Sequence, residues 1–167
     1  DCVILATGFE VGTAYTRRAE FEVYGRGGSS LSDYWARGMK THYGFLSHGF
    51  PNLFHMGLTQ TGLAPNFTYM LDEQANHVAH LLKQVNDRRA QSVEPTVEAE
   101  ADWVKLVTGA TAMSEYQNTC TPGYYNGEGT NEGQGFLQTN YPDGGLAFFA
   151  MLARWREQGD FEGLIVK

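Results

Sequence analysis

The chain has 167 residues, 42% of them hydrophobic and 19% charged, and 12 Lys+Arg against 19 Asp+Glu leave a net charge of −7. That balance describes a globular domain, or part of a larger one, and excludes a disordered polyelectrolyte. No basic run exceeds two residues (Arg17-Arg18, Arg88-Arg89) and no apolar stretch approaches the ~20 residues of a membrane span, so neither nucleic acid nor membrane is an expected partner. The first residues lack the charged and apolar regions of a secretory signal. Cys2 and Cys120 are too few for a disulfide framework. A reducing, cytoplasmic setting is therefore expected.

The chain opens Asp1-Cys2-Val3-Ile4-Leu5-Ala6-Thr7-Gly8-Phe9. Val3 to Ala6 reads as a strand buried on both faces, the kind found in parallel sheets. Such a strand needs neighbours joined by crossovers, and residues 11–28 hold no clean helical period. The neighbours are expected before Asp1, and the chain reads as the C-terminal piece of a larger α/β protein. Thr7 and Gly8 sit at the carboxyl end of this strand, where open α/β sheets bind ligands. They are candidate cofactor contacts, with a plain strand-to-loop turn as the alternative.

Residues 9–30 read as loop or short strand pairs, with Phe21 to Tyr24 alternating. Residues 31–43 are mixed. Gly49 to Phe54 forms a turn into a short strand, Leu53 to Met56, ending at Gly57. A polar loop follows from Thr59 to Asn66. Leu71, Ala75, Val78, Leu82 and Val85 then recur at spacings of 4, 3, 4 and 3, one stripe of a helix. Asn66 or Thr68 is the expected N-cap, with Asp72 and Glu73 in the first turn and Lys83, Arg88 and Arg89 near the end. A strand, a glycine loop and a helix N-terminus make a common polar-ligand site. After the Pro95 break, Val97 to Tyr116 reads as a second helix with Trp103, Leu106, Val107 and Ala110 on one side. Residues 118–145 form a long aromatic and glycine-rich loop. Gly145 to Gln158 is a third helix, with Leu146, Phe149, Ala150 and Ala153 as its stripe and Gly159 as its stop. Phe161 to Val166 is a closing strand.

Several constellations invite chemistry and have plainer readings. Glu73, His77 and His80 share a helix face at i, i+4 and i+7, but nothing completes a tetrahedron, so a solvated polar face is preferred to a metal site. Cys2 reads as a small core residue; Cys120 is the better thiol candidate. No G-x-S-x-G marks a serine nucleophile. Glu98, Glu100 and Asp102 read as a solvated helix surface. Gly127-Glu128-Gly129 and Gly133-Gln134-Gly135 lack the third glycine and the preceding strand of a phosphate loop. Asn66-Phe67-Thr68 matches a glycosylation sequon, without meaning where secretory features are lacking.

Taken together, five stretches carry a resemblance. Asp1 to Phe9 resembles the Asp-x-x-x-x-Ala-Thr-Gly-Phe element of flavin-containing and Baeyer–Villiger monooxygenases. Tyr34-Trp35-Ala36-Arg37-Gly38 with Thr41 and Gly44 is similar to the family's W-x-x-G-x-x-T-x-x-G segment. Gly49-Phe50-Pro51-Asn52-Leu53-Phe54 matches its G-F-P-N-L-F entry. Asn66-Phe67-Thr68, Met70 to Gln74 and His77 resemble the flavin-side loop and helix of one branch, and Thr121 to Asn126 with Phe148, Phe149 and Trp155 resemble that branch's C-terminus. The resemblance implies part of an α/β flavoprotein with two dinucleotide-binding domains. Residues 1–90 would be the C-terminal part of a Rossmann-like FAD-binding domain, and residues 91–167 a helical and loop-rich extension. It implies FAD and NADPH as cofactors, and O₂ and a small-molecule ketone as substrates, one oxygen being inserted to give an ester or lactone. Thr7, Gly8, Gly57, Gly62 and Met70 are the implied cofactor contacts, and Asn66 and Phe67 the implied substrate contacts. The 57–62 loop departs from the Gly-Pro-Gly-Ser-Pro type of well-known members, and Cys120 stands near where many carry a tryptophan on the nicotinamide cofactor. Neither G-x-G-x-x-G unit nor the family's active-site arginine occurs here; Arg17, Arg18, Arg26 and Arg37 do not fill that motif. No catalytic residue is therefore assigned, and the chain alone is expected to be inactive. Oxidation of nitrogen or sulfur, or a non-catalytic interaction domain, are the alternatives.

Overall fold

Residues 2–5, 15–109 and 139–167 are described in a computed structural model. In chain order they form α1 (Tyr15–Ala19), a 3-10 turn (Arg26–Gly28), α2 (Leu31–Tyr34), α3 (Phe67–Asp87), β1 (Val93–Pro95), α4 (Val97–Thr108), α5 (Gly144–Gln158) and β2 (Leu164–Val166). The architecture is mixed helix and strand, as expected.

The three long helices surround an aromatic core. Phe45, Leu46, Met70, Leu81, Trp103, Val107, Phe148, Phe149, Leu152 and Trp155 are all buried in it. These residues come from both sides of the residue 90 division drawn from the resemblance. The rings meet edge-on or stacked: Trp103 stacks on Tyr141 at 5.7 Å, and Trp155 meets Phe161 edge-on at 5.5 Å. Each tryptophan donates its indole N–H to a backbone carbonyl, Trp35 to Lys40, Trp103 to Gln60 and Trp155 to Glu162. Large rings are thus buried without an orphaned donor.

α3 begins where the sequence predicts. The Asn66 side chain accepts the Tyr69 N–H at 3.0 Å and caps it. The helix period is right but the face is not. The buried residues are Met70, Gln74, His77 and Leu81, whereas Leu82 is half exposed. The inner stripe lies one residue before the expected one and carries two polar groups, which a search for apolar periodicity passes over. Asp72 and Glu73 lie beyond the first turn, which holds no acidic residue. α5 is displaced in the same way: Phe148, Phe149, Leu152 and Trp155 face inward and Leu146 is exposed. Gly159 closes α5 in the left-handed conformation at φ 68°, as expected of a glycine stop. α4 ends at Thr108 with Gly109 as C-cap, eight residues short of Tyr116. It buries Trp103 and Val107 and leaves Leu106 half exposed; Ala110 lies outside the described residues.

The strands differ more. Residues 2–5 are exposed and irregular, so Cys2 is a surface thiol and not a core residue. A doubly buried strand exists only between neighbours, and none lies beside Val3–Leu5 among the described residues. Leu53 to Met56 is not a strand either. Asn52 turns the chain at φ 61° and is tied to the neighbourhood of β1 by bonds with Val93 and Gln91. His55 N–H then makes a single bond to the Phe45 carbonyl. Phe21–Tyr24 yields one bridge, Tyr24 to Ser30. The closing strand is present as β2 and pairs antiparallel with β1, Glu94 opposite Ile165. β1 was unforeseen, because three residues ending in proline give no alternation to read.

Candidate functional site

The segment from Gly57 to Phe67 links the irregular layer to the start of α3. Its backbone is set by two fully buried glutamines. Gln74, on the inner face of α3, accepts the Gly57 N–H at 2.8 Å and donates to the Gly57 carbonyl at 3.0 Å. It also donates to the Thr61 hydroxyl at 3.3 Å, which itself donates to the Gly57 carbonyl at 3.0 Å. Gln60 holds the other end. Its side-chain oxygen accepts the Thr41 N–H and hydroxyl at 3.1 and 2.6 Å, and its amide donates to the Met39 carbonyl at 2.8 Å. Both carboxamides are bonded at both ends, the condition for burying a polar group without loss.

The implied contact residues separate into two groups. Gly57 has φ 105° and nothing within 4 Å of where a Cβ would stand, so its backbone is bare on that side. Asn66 is exposed but spends its side-chain oxygen on the helix cap. Phe67 is half exposed, as is Tyr69, whose ring meets Phe149 edge-on at 5.6 Å. Gly62 and Met70 serve the interior: a Cβ on Gly62 would lie 2.4 Å from that of Phe148, and Met70 is fully buried. Thr7, Gly8 and Cys120 lie outside the described residues. Gly57 thus offers bare backbone and Phe67 and Tyr69 exposed rings, while Gly62 and Met70 pack in the interior.

Two buried carboxylates hold the turn that leads in. Glu100 accepts the Tyr34 hydroxyl at 2.5 Å and the His48 N–H at 2.6 Å. Glu94 pairs with Arg26 at 2.7 Å and accepts the Gly49 N–H at 3.1 Å. Glu100 is 4% exposed, so the solvated-surface reading fails for it; the N–H and hydroxyl donors explain its burial. Burial and the Glu100 bond both raise the Tyr34 hydroxyl pKa. Three buried imidazoles are held neutral. Burial lowers His42 and His55 to about 4, and lowers His77 to about 3 with help from the Arg156 charge. The Ser47 hydroxyl donates to the Lys40 carbonyl, so His55 Nε2–H must donate to Ser47. His77 lies between Phe45 and Trp155. Glu73, His77 and His80 do not converge, and no group of three metal-ligating side chains forms among the described residues.

Gln60, Thr61 and Gln74 were not singled out from the sequence. A signal existed for Gln74: it lies four residues after Met70 and three before His77, in the middle of the face that turns inward.

Comparison with known proteins places this geometry. No family model matches the chain. It is 42% identical over 166 residues to Baeyer–Villiger monooxygenase 4 of Dietzia sp. (strain D5), covering 99% of this chain and 27% of that protein. The chain is homologous to one segment of the Baeyer–Villiger monooxygenases. A second relative, an FAD-binding monooxygenase of Hypomyces subiculosus, is 36% identical across 98% of this chain and 27% of its own length. Among solved structures, the polycyclic ketone monooxygenase of the thermophilic fungus Thermothelomyces thermophila superposes with a TM-score of 0.82 at 31% identity, over 93% of this chain and 26% of that one. An oxidized steroid monooxygenase bound to NADP gives 0.70 at 25%, over 92% and 28%. The chain thus spans little more than a quarter of the Baeyer–Villiger monooxygenases it matches, which agrees with a part of a larger flavoprotein.

Proposed function

We propose that this chain forms part of an FAD- and NADPH-dependent Baeyer–Villiger monooxygenase that inserts one oxygen of O₂ into a ketone to give an ester or lactone. The observation that carries the reading is the match of nearly the whole chain to about a quarter of such enzymes, joined to the bare backbone of Gly57 on a turn bonded to the core. When bound, FAD supplies the oxygen-activating chemistry. The chain's own part is to build one wall of the pocket. Gly57 lets the cofactor lie close to the backbone, and Phe67 and Tyr69 offer apolar rings that exclude water beside it. The Asn66 cap fixes where Phe67 sits, so Asn66 and Phe67 would bound the substrate side. Thr7 and Gly8 would run beside the flavin, with residues 1–90 belonging to the FAD-binding domain and 91–167 to its extension. The charge of −7 and the shortage of clustered cations favour a small-molecule substrate over nucleic acid. No helix among the described residues is long and apolar enough to cross a membrane, and a cytoplasmic location fits the cysteine usage.

The test is product analysis on the protein encoded by the whole reading frame that carries this sequence. Purified with FAD and given NADPH and a cyclic ketone, it should oxidise NADPH in proportion to ketone and release a lactone. Failure to retain FAD, or oxidation confined to amines and thioethers, would overturn the reading. The 167 residues alone should bind FAD weakly and turn over no ketone.

A further inference from the structure

The Gln74 carboxamide meets Gly57 as one peptide meets another across a sheet, one acceptor for its N–H and one donor for its carbonyl. The carboxamide of glutamine, like that of asparagine, sets an acceptor and a donor side by side on one carbon, as a peptide does. Its second donor goes to Thr61, so Gly57 and Thr61 are fixed to a single group. The helix that carries Gln74 is anchored by Met70, His77 and Leu81 in the core, and the far end of the turn is anchored through Gln60 and Trp103. The turn 57–62 is therefore held from behind, and its bare side at Gly57 is left facing outward.

We propose that Gln74 is a positioning residue: it locks the 57–62 turn in the shape that receives the flavin before any cofactor arrives. The proposal rests on the flavin reading above for what the turn receives. The locked turn itself follows from the hydrogen bonds alone. Preorganised backbone lowers the ordering cost of binding, so losing the lock should appear as lost affinity as well as lost order.

The experiment is hydrogen–deuterium exchange on the whole reading-frame protein, with and without FAD, for wild type, Gln74→Leu and Gln74→Glu. Leucine keeps the volume and removes every bond. In wild type the peptide covering residues 55–62 should stay protected after FAD is removed. In Gln74→Leu its exchange should rise at least about tenfold while peptides of α5 are unchanged, and FAD affinity should fall by a similar factor. Gln74→Glu accepts but cannot donate until it is protonated. Its turn should be loose at neutral pH and regain protection below about pH 6, with FAD affinity following the same curve. A residue that only fills space would give no such pH profile. Equal exchange of the 55–62 peptide in wild type and Gln74→Leu overturns the proposal. So does a loosened turn that binds FAD as tightly as wild type. If wild type takes up no FAD, the flavin reading falls instead, and the lock is judged on the exchange comparison.

Discussion

Replacing Glu100 with alanine strands two donors at once, the Tyr34 hydroxyl and the His48 N–H. Leaving such partners unpaired in a water-poor site is expected to cost about 2–3 kcal/mol, against about 1 kcal/mol for Glu100→Gln, which keeps one acceptor. Urea denaturation with matched slopes would measure both. Gly62 supplies a second residue-scale outcome. A methyl group there meets Phe148 at 2.4 Å and the Gly145 Cα at 2.9 Å, so Gly62→Ala should lose about 1–3 kcal/mol by overpacking whether or not FAD is present. A loss seen only with FAD would return Gly62 to the cofactor. Glycine looks the same in a sequence whether the space above it belongs to a ligand or to a phenylalanine. Gly57 and Gly62, five residues apart, read alike in the sequence, yet a Cβ would meet open space at one and Phe148 at the other.

At the scale of the element, the difference between the expected and observed faces of α3 can be weighed. Leu81→Ala should cost about 2–5 kcal/mol and Leu82→Ala under about 1 kcal/mol; thermal melts of the pair would decide which leucine faces inward. Asn66→Ala removes the cap and should cost about 1 kcal/mol. The long helices, their caps and the closing strand were legible because period and punctuation are local. Their inward faces were not. In α3 the interior takes Gln74 and His77, polar residues whose burial depends on partners far away in sequence. The false strand at Leu53–Met56 has the same origin: an apolar tetrapeptide fits a strand, but only a neighbouring ladder makes it one. β1 shows the converse, being called into place by β2 some 70 residues later.

For the whole molecule the buried histidines set the response to acid. The folded pKa values of His42, His55 and His77, at about 4, 4 and 3, lie below the 6.5 of a free imidazole. Between those limits the unfolded chain binds more protons than the folded one. Stability is therefore full above about pH 6.5 and falls as pH drops toward 4, by up to about 1.4 kcal/mol per pH unit for each imidazole. Denaturation midpoints at pH 7.5, 6 and 5 should show a steepening loss. His77→Phe, which keeps the ring between Phe45 and Trp155, should flatten the slope by about one proton. An unchanged slope would mean that His77 is not a neutral core residue.

The three indoles give the molecule a set of built-in optical reporters. Trp35 senses the carbonyl of Lys40, Trp103 that of Gln60 on the 57–62 turn, and Trp155 that of Glu162 before β2. Each emission depends on whether its own loop stays closed over it. Variants retaining one tryptophan at a time would show by fluorescence the order in which the three loops let go. If the turn at Gln60 is set from the core, Trp103 should shift to the red last.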